Sequence, residues 1–121
     1  MIITTGVDIT EVRRLKQAVE KWGDEFLNRI FTSRELIAAK KRVSFYQHLA
    51  GRFAAKEAIF KAVGEKYLTW KDLEVLNDPA GKPYCTILHS KVKRIAVEVS
   101  ISHVKSYAVA CAVVTQKKKR S

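Results

Sequence analysis

The chain has 121 residues, of which 47% are apolar and 29% charged, and a formal net charge of +11 at pH 7. These values fit one soluble globular domain, and the longest apolar run, YAVACAVV, is too short to cross a bilayer, which excludes a transmembrane protein. The excess of positive charge favours an anionic partner: nucleic acid, a phosphorylated small molecule, an acidic protein or an acidic membrane surface.

In most of the first half of the chain, apolar residues recur with the spacing of an α-helix. After a first strand over 2–8, an apolar stripe with helical spacing predicts an amphipathic helix. The stripe consists of Val12, Leu15, Val19 and Trp22. A short helix should begin at Asp24, and Thr32 with Glu35 forms a capping-box signature for another. A long helix should run from about Ser44 to Val63 and end at Gly64.

The second half alternates with a period of two residues, which indicates strands. The stretch LEVLNDPAGKPYCTIL predicts two strands around an Asp-Pro-Ala-Gly turn, VEVSISH predicts a third, and SYAVACAVV predicts a mostly buried last strand. Early helices and late strands predict an α+β fold with the helices, one of them long, packed on an antiparallel sheet. We expect a single domain over 1–116 and a basic, disordered tail over 117–121.

The two cysteines, Cys85 and Cys111, lie in apolar, strand-like stretches without metal-ligand spacing. We interpret them as buried free thiols, as expected in a reducing compartment. The apolar start MIITTGVDI has no basic leader, so we expect no signal peptide and a cytoplasmic protein.

The segment GRFAAKEAIFKAVG has an unusual set of charges for so apolar a helix. Glu57 and Lys61 stand in the favourable order for an ion pair, whereas Arg52 and Lys56 are like charges one turn apart and repel unless an anion lies between them. Two phenylalanines, Phe53 and Phe60, project between these pairs. We therefore expect a ligand or another chain to cover this face.

Two carboxylates and an imidazole are further candidates for a site. Asp8 lies at the end of the first strand; by itself it fits a helix cap as well as a ligand, and Glu57 alone fits an ion-pair partner. His103 continues the apolar row of Val97, Val99 and Ile101 at the end of its strand. Together with Lys56, these residues offer the two carboxylates and the cation with which proteins hold Mg²⁺ and phosphate oxygens.

Four stretches resemble the holo-acyl-carrier-protein synthases, the small type of 4′-phosphopantetheinyl transferase, in order and spacing. They are GVDITEVRRL, GRFAAKEAIFKAVG, WKDLEVLNDPAGKP and VSISHVKSYAVA. The resemblance implies transfer of phosphopantetheine from coenzyme A to a serine of apo acyl carrier protein, for fatty acid biosynthesis. It also implies a homotrimer with coenzyme A bound between protomers. Thr4 stands where the family often has glycine, and Phe60 where it has a small hydroxyl residue.

The resemblance also implies a role for each matching position. Asp8 and Glu57 match the magnesium ligands, and Lys56 would neutralise charge on the pyrophosphate. The positions that match nucleotide contacts are Arg52, Lys61, Pro83 and His103, with His103 near the pyrophosphate. Arg14 matches a position that docks the acidic carrier protein. Asp8, Lys56, Glu57 and His103 would together form the catalytic set.

Two alternatives remain open on the sequence. The net charge also suits a non-enzymatic nucleic-acid-binding module, although no strand interleaves aromatic and basic residues as RNA-binding sheets do. A catalytically silent homologue would bind the carrier protein without transferring anything. The intact set of Asp8, Lys56 and Glu57 favours an active enzyme.

Overall fold

The structure, a computed structural model, describes residues 1–64, 68–88 and 95–117. Within these ranges lie three α-helices, five strands and a short 3-10 turn. The elements are β1 (Ile2–Glu11), α1 (Val12–Ile30), α2 (Ser33–Lys40), α3 (Phe45–Val63), the 3-10 turn (Trp70–Asp72), β2 (Leu73–Asn77), β3 (Pro83–Ile87), β4 (Ile95–His103) and β5 (Tyr107–Gln116). The predicted basic tail lies outside the described residues except for Lys117.

The predicted α+β class is confirmed, but the strands form two antiparallel sheets. One sheet has the order β1-β5-β4 and the other pairs β2 with β3. The hairpin turns at Gly81, which has a φ of 91°, a backbone conformation that favours glycine. The predicted turn between these two strands is therefore confirmed.

Helix α3 lies across the three-stranded sheet and forms the centre of the core. Its alanine-rich face, Ala54, Ala55, Ala58 and Ala62, is buried. Residues of β4 and β5, among them Val99, Ala110 and Ala112, pack in the same core cluster. Small side chains on both surfaces let the helix and the sheet approach closely. The predicted bounds of this helix are confirmed, with Ser44 before its first residue and Gly64 after its last.

Helix α1 is bent at Gly23, which has a φ of 59° and a ψ of −139°. The predicted second helix beginning at Asp24 is thus the continuation of α1 beyond a kink. The prediction that Trp22 belongs to the core is wrong, because 56% of this residue is exposed. Before the kink, the packed residues end at Val19, which lies partly against the core, and beyond the kink Leu27 and Ile30 are buried in the same cluster. The Nζ atom of Lys21 lies 4.7 Å from the centre of the Trp22 ring.

Strand β5 has one buried face and one exposed face. Ala108, Ala110, Ala112 and Val114 are buried, and the residues between them are exposed. The prediction that this strand is mostly buried is therefore wrong, because α3 covers only one side of the sheet. Cys111 lies on the exposed side and Cys85 is half-buried, so the expectation of two buried thiols is also wrong.

No helix in the described part of the chain is both long and apolar enough to span a membrane.

Candidate functional site

Lys56 lies in the interior and does not line a cleft. Its side chain is fully buried, and its Nζ atom donates hydrogen bonds to the backbone oxygens of Ile30 (2.8 Å) and Trp70 (3.0 Å) and to Glu35 Oε1 (2.7 Å). Burial lowers the pKa of Lys56, and the Glu35 carboxylate opposes that change. The expectation that Lys56 meets a pyrophosphate is therefore corrected, because all three of its protons are directed at acceptors inside the protein.

The two phenylalanines of α3 are covered by this chain's own Trp70. The Phe53 ring stacks on Trp70 with 5.1 Å between the ring centres, and the Phe60 ring meets Trp70 edge-on at 4.9 Å. Phe60 is buried. The sequence patterns do not reveal that Trp70 fills this position. The inference that a ligand or partner covers the rings is corrected for Phe60, whereas Phe53 also lines the cleft described next.

A first cleft, here called the carboxylate cleft, has a volume of about 580 Å³. It lies between α1, α3 and the end of β1. Its lining includes Asp8, Thr10, Arg14, Phe26, Phe53, Glu57 and Tyr107. The structure thus brings Asp8, Glu57 and Arg14 to one cavity.

Asp8 is held in place by contacts from two elements. Its Oδ2 atom accepts a hydrogen bond from Thr10 Oγ1 (3.0 Å), and its Oδ1 atom lies 3.1 Å from Lys61 Nζ. The same ammonium donates to the backbone oxygen of Val7 at 3.0 Å. Lys61 is therefore the α3 lysine that pairs with Asp8 of the carboxylate cleft, although it is not itself one of the lining residues.

The donor atoms of the carboxylate cleft suit a hard cation. Asp8 and Glu57 supply carboxylate oxygens on a strand and a helix, which are rigid elements. Mg²⁺ is usually held by one or two carboxylates, with waters and substrate phosphates completing the octahedron. No group of three or more His, Cys, Asp or Glu side chains that could hold a metal occurs among the described residues, so any ion here needs ligands beyond the two carboxylates.

A second region, here called the arginine cleft, consists of two cavities of about 410 Å³ and 150 Å³. Four residues line both: Arg42, His48, Arg52 and Asn77. The smaller cavity also holds Pro83 and His103. The structure thus brings together Arg52, Pro83 and His103, three of the residues that the resemblance implied for the nucleotide.

Arg52 is oriented by a neighbour and remains charged. Its Nη2 atom donates to Asn77 Oδ1 at 2.7 Å. Burial lowers the pKa of Arg52 to about 10, while Glu35 opposes the change, so the guanidinium is cationic at neutral pH. With Arg42 on the same cavities, this cleft is suited to anions.

His48 and Arg42 are two residues of this cleft that sequence reasoning missed. The Nε2 atom of His48 is buried and has no hydrogen-bond partner in the structure. Burial and then the positive charge of Arg52 lower the pKa of His48 to about 4, with further contributions from Arg42 and His103. The imidazole is therefore neutral at pH 7. The sequence did contain a signal for His48, because it lies four residues before Arg52 on α3 and residues four apart share one face of a helix.

Six of the eight predicted site residues fall into two groups on one protomer, whereas Lys56 and Lys61 are not among the lining residues of these cavities. Asp8, Glu57 and Arg14 line the carboxylate cleft, whereas Arg52, Pro83 and His103 line the arginine cleft. No residue lines both clefts among those that the structure describes. The carboxylate cleft offers carboxylate oxygens, with the Lys61 ammonium beside Asp8. The arginine cleft offers guanidinium groups, which can bind phosphates.

Comparisons with known proteins agree on one family. The family model of the 4′-phosphopantetheinyl transferase superfamily matches residues 4–112. The chain is 43% identical over 120 residues to a holo-[acyl-carrier-protein] synthase from Halothermothrix orenii, covering 91% of this chain and 94% of that one. It is 44% identical over 119 residues to the synthase of Protochlamydia amoebophila, covering 93% and 98%.

Solved structures of such synthases have the same fold. One from Bacillus anthracis, crystallised in complex with CoA (3′,5′-ADP), has a TM-score of 0.80 and 37% identity, covering 94% of this chain and 96% of that one. One from Helicobacter pylori, in complex with coenzyme A, has a TM-score of 0.79 and 30% identity, covering 92% and 99%. From its sequence, its fold and its clefts, the chain belongs to the holo-[acyl-carrier-protein] synthase family of the 4′-phosphopantetheinyl transferase superfamily.

Proposed function

We propose that this protein transfers the 4′-phosphopantetheine group of coenzyme A to a serine of apo acyl carrier protein, releasing 3′,5′-ADP. The observation that carries the proposal is the pairing of Asp8 and Glu57 in one cleft of a chain from this family. The matched relatives give no support to a nucleic-acid-binding module. We infer that the holo carrier protein serves fatty acid biosynthesis and that the enzyme works in the cytoplasm.

Asp8 and Glu57 would hold Mg²⁺ in the carboxylate cleft. When bound there, the ion would polarise the phosphoryl group and offset its negative charge. Phosphoryl transfer asks the protein chiefly for positioning and electrostatic stabilisation. The Thr10 hydroxyl, 3.0 Å from Asp8 Oδ2, orients the aspartate for this purpose.

The remaining polar groups of this cleft have separate tasks. Glu57 would accept the proton of the attacking serine, directly or through a water. The Lys61 ammonium, already 3.1 Å from Asp8 Oδ1, would offset charge on the departing phosphate in place of the buried Lys56. Arg14, on the α1 side of the cleft, would dock the acidic carrier protein and so bring its serine to Glu57.

The arginine cleft would bind the nucleotide part of coenzyme A. Arg52 and His103 would contact its phosphates, with Pro83 beside the adenine. Arg42, which shares both cavities with Arg52, adds a second guanidinium. Phosphates bind guanidinium groups strongly because the hydrogen bonds are charge-assisted.

The two clefts support a homotrimer in which each active site is completed by a neighbouring protomer. A single protomer places the nucleotide residues and the metal residues on different clefts. The outer face of the three-stranded sheet also exposes large apolar residues, namely Val7 (59%), Ile9 (64%), Val109 (39%) and Val113 (38%). Contiguous exposed apolar residues of this kind mark interfaces between chains.

The test is a mass-shift assay with purified protein, an apo acyl carrier protein, coenzyme A and Mg²⁺. We expect the carrier protein to gain one phosphopantetheine, and Asp8→Asn and Glu57→Gln to abolish the gain while remaining folded. Removal of divalent ions with a chelator should stop the reaction, and added Mg²⁺ should restore it. Absence of any gain with several apo carriers, while coenzyme A still binds, would reject the transferase function in favour of a silent homologue.

A further inference from the structure

Glu35 and Lys56 form the centre of a buried polar network outside both clefts. Both side chains have no exposed surface. Glu35 Oε1 accepts hydrogen bonds from Lys56 Nζ (2.7 Å) and from the backbone nitrogen of Thr32 (2.8 Å), and Oε2 accepts one from the backbone nitrogen of Val75 (2.7 Å). The carboxylate thus joins α2 to α3 and to β2.

The ammonium group extends the same network to two more elements. Lys56 Nζ donates to Ile30, the last residue of α1, and to Trp70 in the 3-10 turn. Trp70 is also held by ring contacts with Phe53 and Phe60 on α3. One lysine side chain therefore links α3 to α1, to α2 and to the Trp70 turn.

The rotation of α3 about its own axis bears directly on the carboxylate cleft. Glu57 follows Lys56 in the chain, so its side chain leaves the helix at about 100° from the lysine. Phe53, one turn earlier, lines the same cleft as Glu57 and stacks on Trp70. A helix anchored through Lys56 holds Glu57 on the side where β1 presents Asp8.

The network is costly to bury, which suggests a role beyond packing. Replacing a buried ion pair by apolar residues of similar volume is often neutral or stabilising, whereas removing one partner alone is strongly destabilising. The pair is satisfied at every proton and at both carboxylate oxygens. Such fully satisfied networks give a core one well-defined arrangement.

We propose that Glu35 and Lys56 are a positioning pair that fixes the rotation of α3 and thereby places Glu57 opposite Asp8. The inference rests on the proposed phosphoryl transfer for its catalytic consequence. Neither residue touches substrate, because both are sealed inside the protein. Their effect on the reaction passes entirely through the geometry of the carboxylate cleft.

The test uses Glu35→Gln in the full-length protein. Glutamine can keep the capping box. Its side chain has a single oxygen, however, whereas the two oxygens of Glu35 accept from Thr32 N, Lys56 Nζ and Val75 N, so one of these donors loses its acceptor. We expect kcat per folded molecule to fall about tenfold or more, because small misplacements of a reacting group are costly. The KM for coenzyme A should stay within about threefold, and the Mg²⁺ concentration for half-maximal rate should rise about tenfold. Amide hydrogen exchange over residues 53–61 should become faster.

A matched control comes from the neighbouring carboxylate of the same α2–β2 junction. Glu74 accepts hydrogen bonds from Thr32 Oγ1 (2.6 Å) and Arg34 Nη1 (3.2 Å) rather than from α3. Glu74→Gln should therefore lower stability while leaving the rate per folded molecule and the exchange of α3 unchanged. If Glu35→Gln does not fold, the double variant Glu35→Gln, Lys56→Met removes both charges and provides the same readouts.

Two results would overturn the proposal, and a third would bear on the proposed function only. If the Glu35→Gln protein folds and keeps the kcat of the wild type and its rate of hydrogen exchange over α3, the proposal is overturned. The pair would then contribute to stability only. A rise in the KM for coenzyme A alone would also overturn the proposal, in favour of a direct contact by Lys56. Complete inactivity of the wild-type protein would reject the proposed function instead, and hydrogen exchange would still decide whether the pair fixes α3.

Discussion

Gly6 of β1 lies directly against the backbone carbonyl of Ala58 in α3. A Cβ atom at position 6 would overlap the Ala58 oxygen and approach the Ala62 nitrogen within 3.1 Å. Because both obstacles are backbone atoms, neither can turn aside. This contact sets the distance between β1 and α3, and Asp8 is two residues along the same strand.

Gly6→Ala should therefore force β1 away from α3. We expect a loss of about 1–3 kcal/mol in the free energy of unfolding, the usual cost of overpacking, measured by urea denaturation. Gly51→Ala is the matched comparison, because its Cβ would meet only the Ile101 Cγ2 atom, at 3.0 Å, on a side chain that can move. Equal stabilities for the two variants would contradict the close-approach explanation.

Lys61, rather than Lys56, should be the α3 lysine whose charge matters for the reaction. Lys61→Met should lower kcat on the order of 10²-fold, because it removes a positive charge beside Asp8 in the carboxylate cleft. Its fold should be intact, since 53% of the side chain is exposed. Lys71→Met, which removes the same charge from an exposed position of the 3-10 turn, should leave kcat unchanged in the same steady-state assay.

Arg42 should contribute to binding of coenzyme A although the sequence did not point to it. Arg42→Gln should raise the KM for coenzyme A about tenfold, as expected for one charge-assisted hydrogen bond, with little change in kcat. Arg29→Gln is the control, since Arg29 is exposed on α1 and pairs with Glu25 at 3.6 Å. A fall in kcat at unchanged KM would place Arg42 at the reacting phosphoryl group instead.

His48 should make the protein less stable in mild acid. Its pKa is about 4 in the folded chain against an ordinary value of 6.5 for histidine, so below pH 6.5 the unfolded chain binds a proton that the folded chain does not. Stability from this group is therefore present above pH 6.5 and is lost as the pH falls through 4. His48→Gln should reduce the stability difference between about pH 7 and about pH 5 by about 1 kcal/mol, because solvent reaches part of the ring. Urea denaturation at both values measures it, and an unchanged difference would contradict the assignment.

The two thiols should react differently with iodoacetamide. Burial raises the pKa of Cys85 to about 12, so this thiol should stay unmodified in the folded protein. Cys111 is exposed on the outer sheet face, which the proposed trimer would cover. Its labelling, followed by mass spectrometry, should slow as the protein concentration rises and the trimer forms. A constant rate across the concentrations at which sedimentation shows association would exclude this face as the interface.

The local patterns of the sequence were sufficient for most of the secondary structure. The bounds of α3 follow from an unbroken helical stretch before Gly64, and the β2–β3 hairpin follows from the turn around Gly81. The capping box at Thr32 and Glu35 is present as predicted. These features depend on residues a few positions apart, so the order of residues alone specifies them.

Burial on the two sides of an element was predicted less well. Trp22 had the spacing of a core residue, but it lies next to the kink at Gly23 and is 56% exposed, and burial on α1 resumes beyond the kink at Leu27. The apolar residues of β5 gave no sign of which face α3 would cover. Periodicity shows that two faces differ, and only packing against another element decides which one is buried.

The sequence by itself determined the family motifs, because each motif is a run of neighbouring residues, and the resemblance that they carry implied a shared site for Asp8 and Glu57. Only the tertiary structure decided what the other charges of α3 do. Lys56 finds its counter-charge in Glu35, 21 positions away, and Arg52 finds Asn77, 25 positions away. Lys61 turns out to meet Asp8 across 53 positions. Contacts between residues so far apart depend on how whole elements pack, and helical spacing carries no information about them.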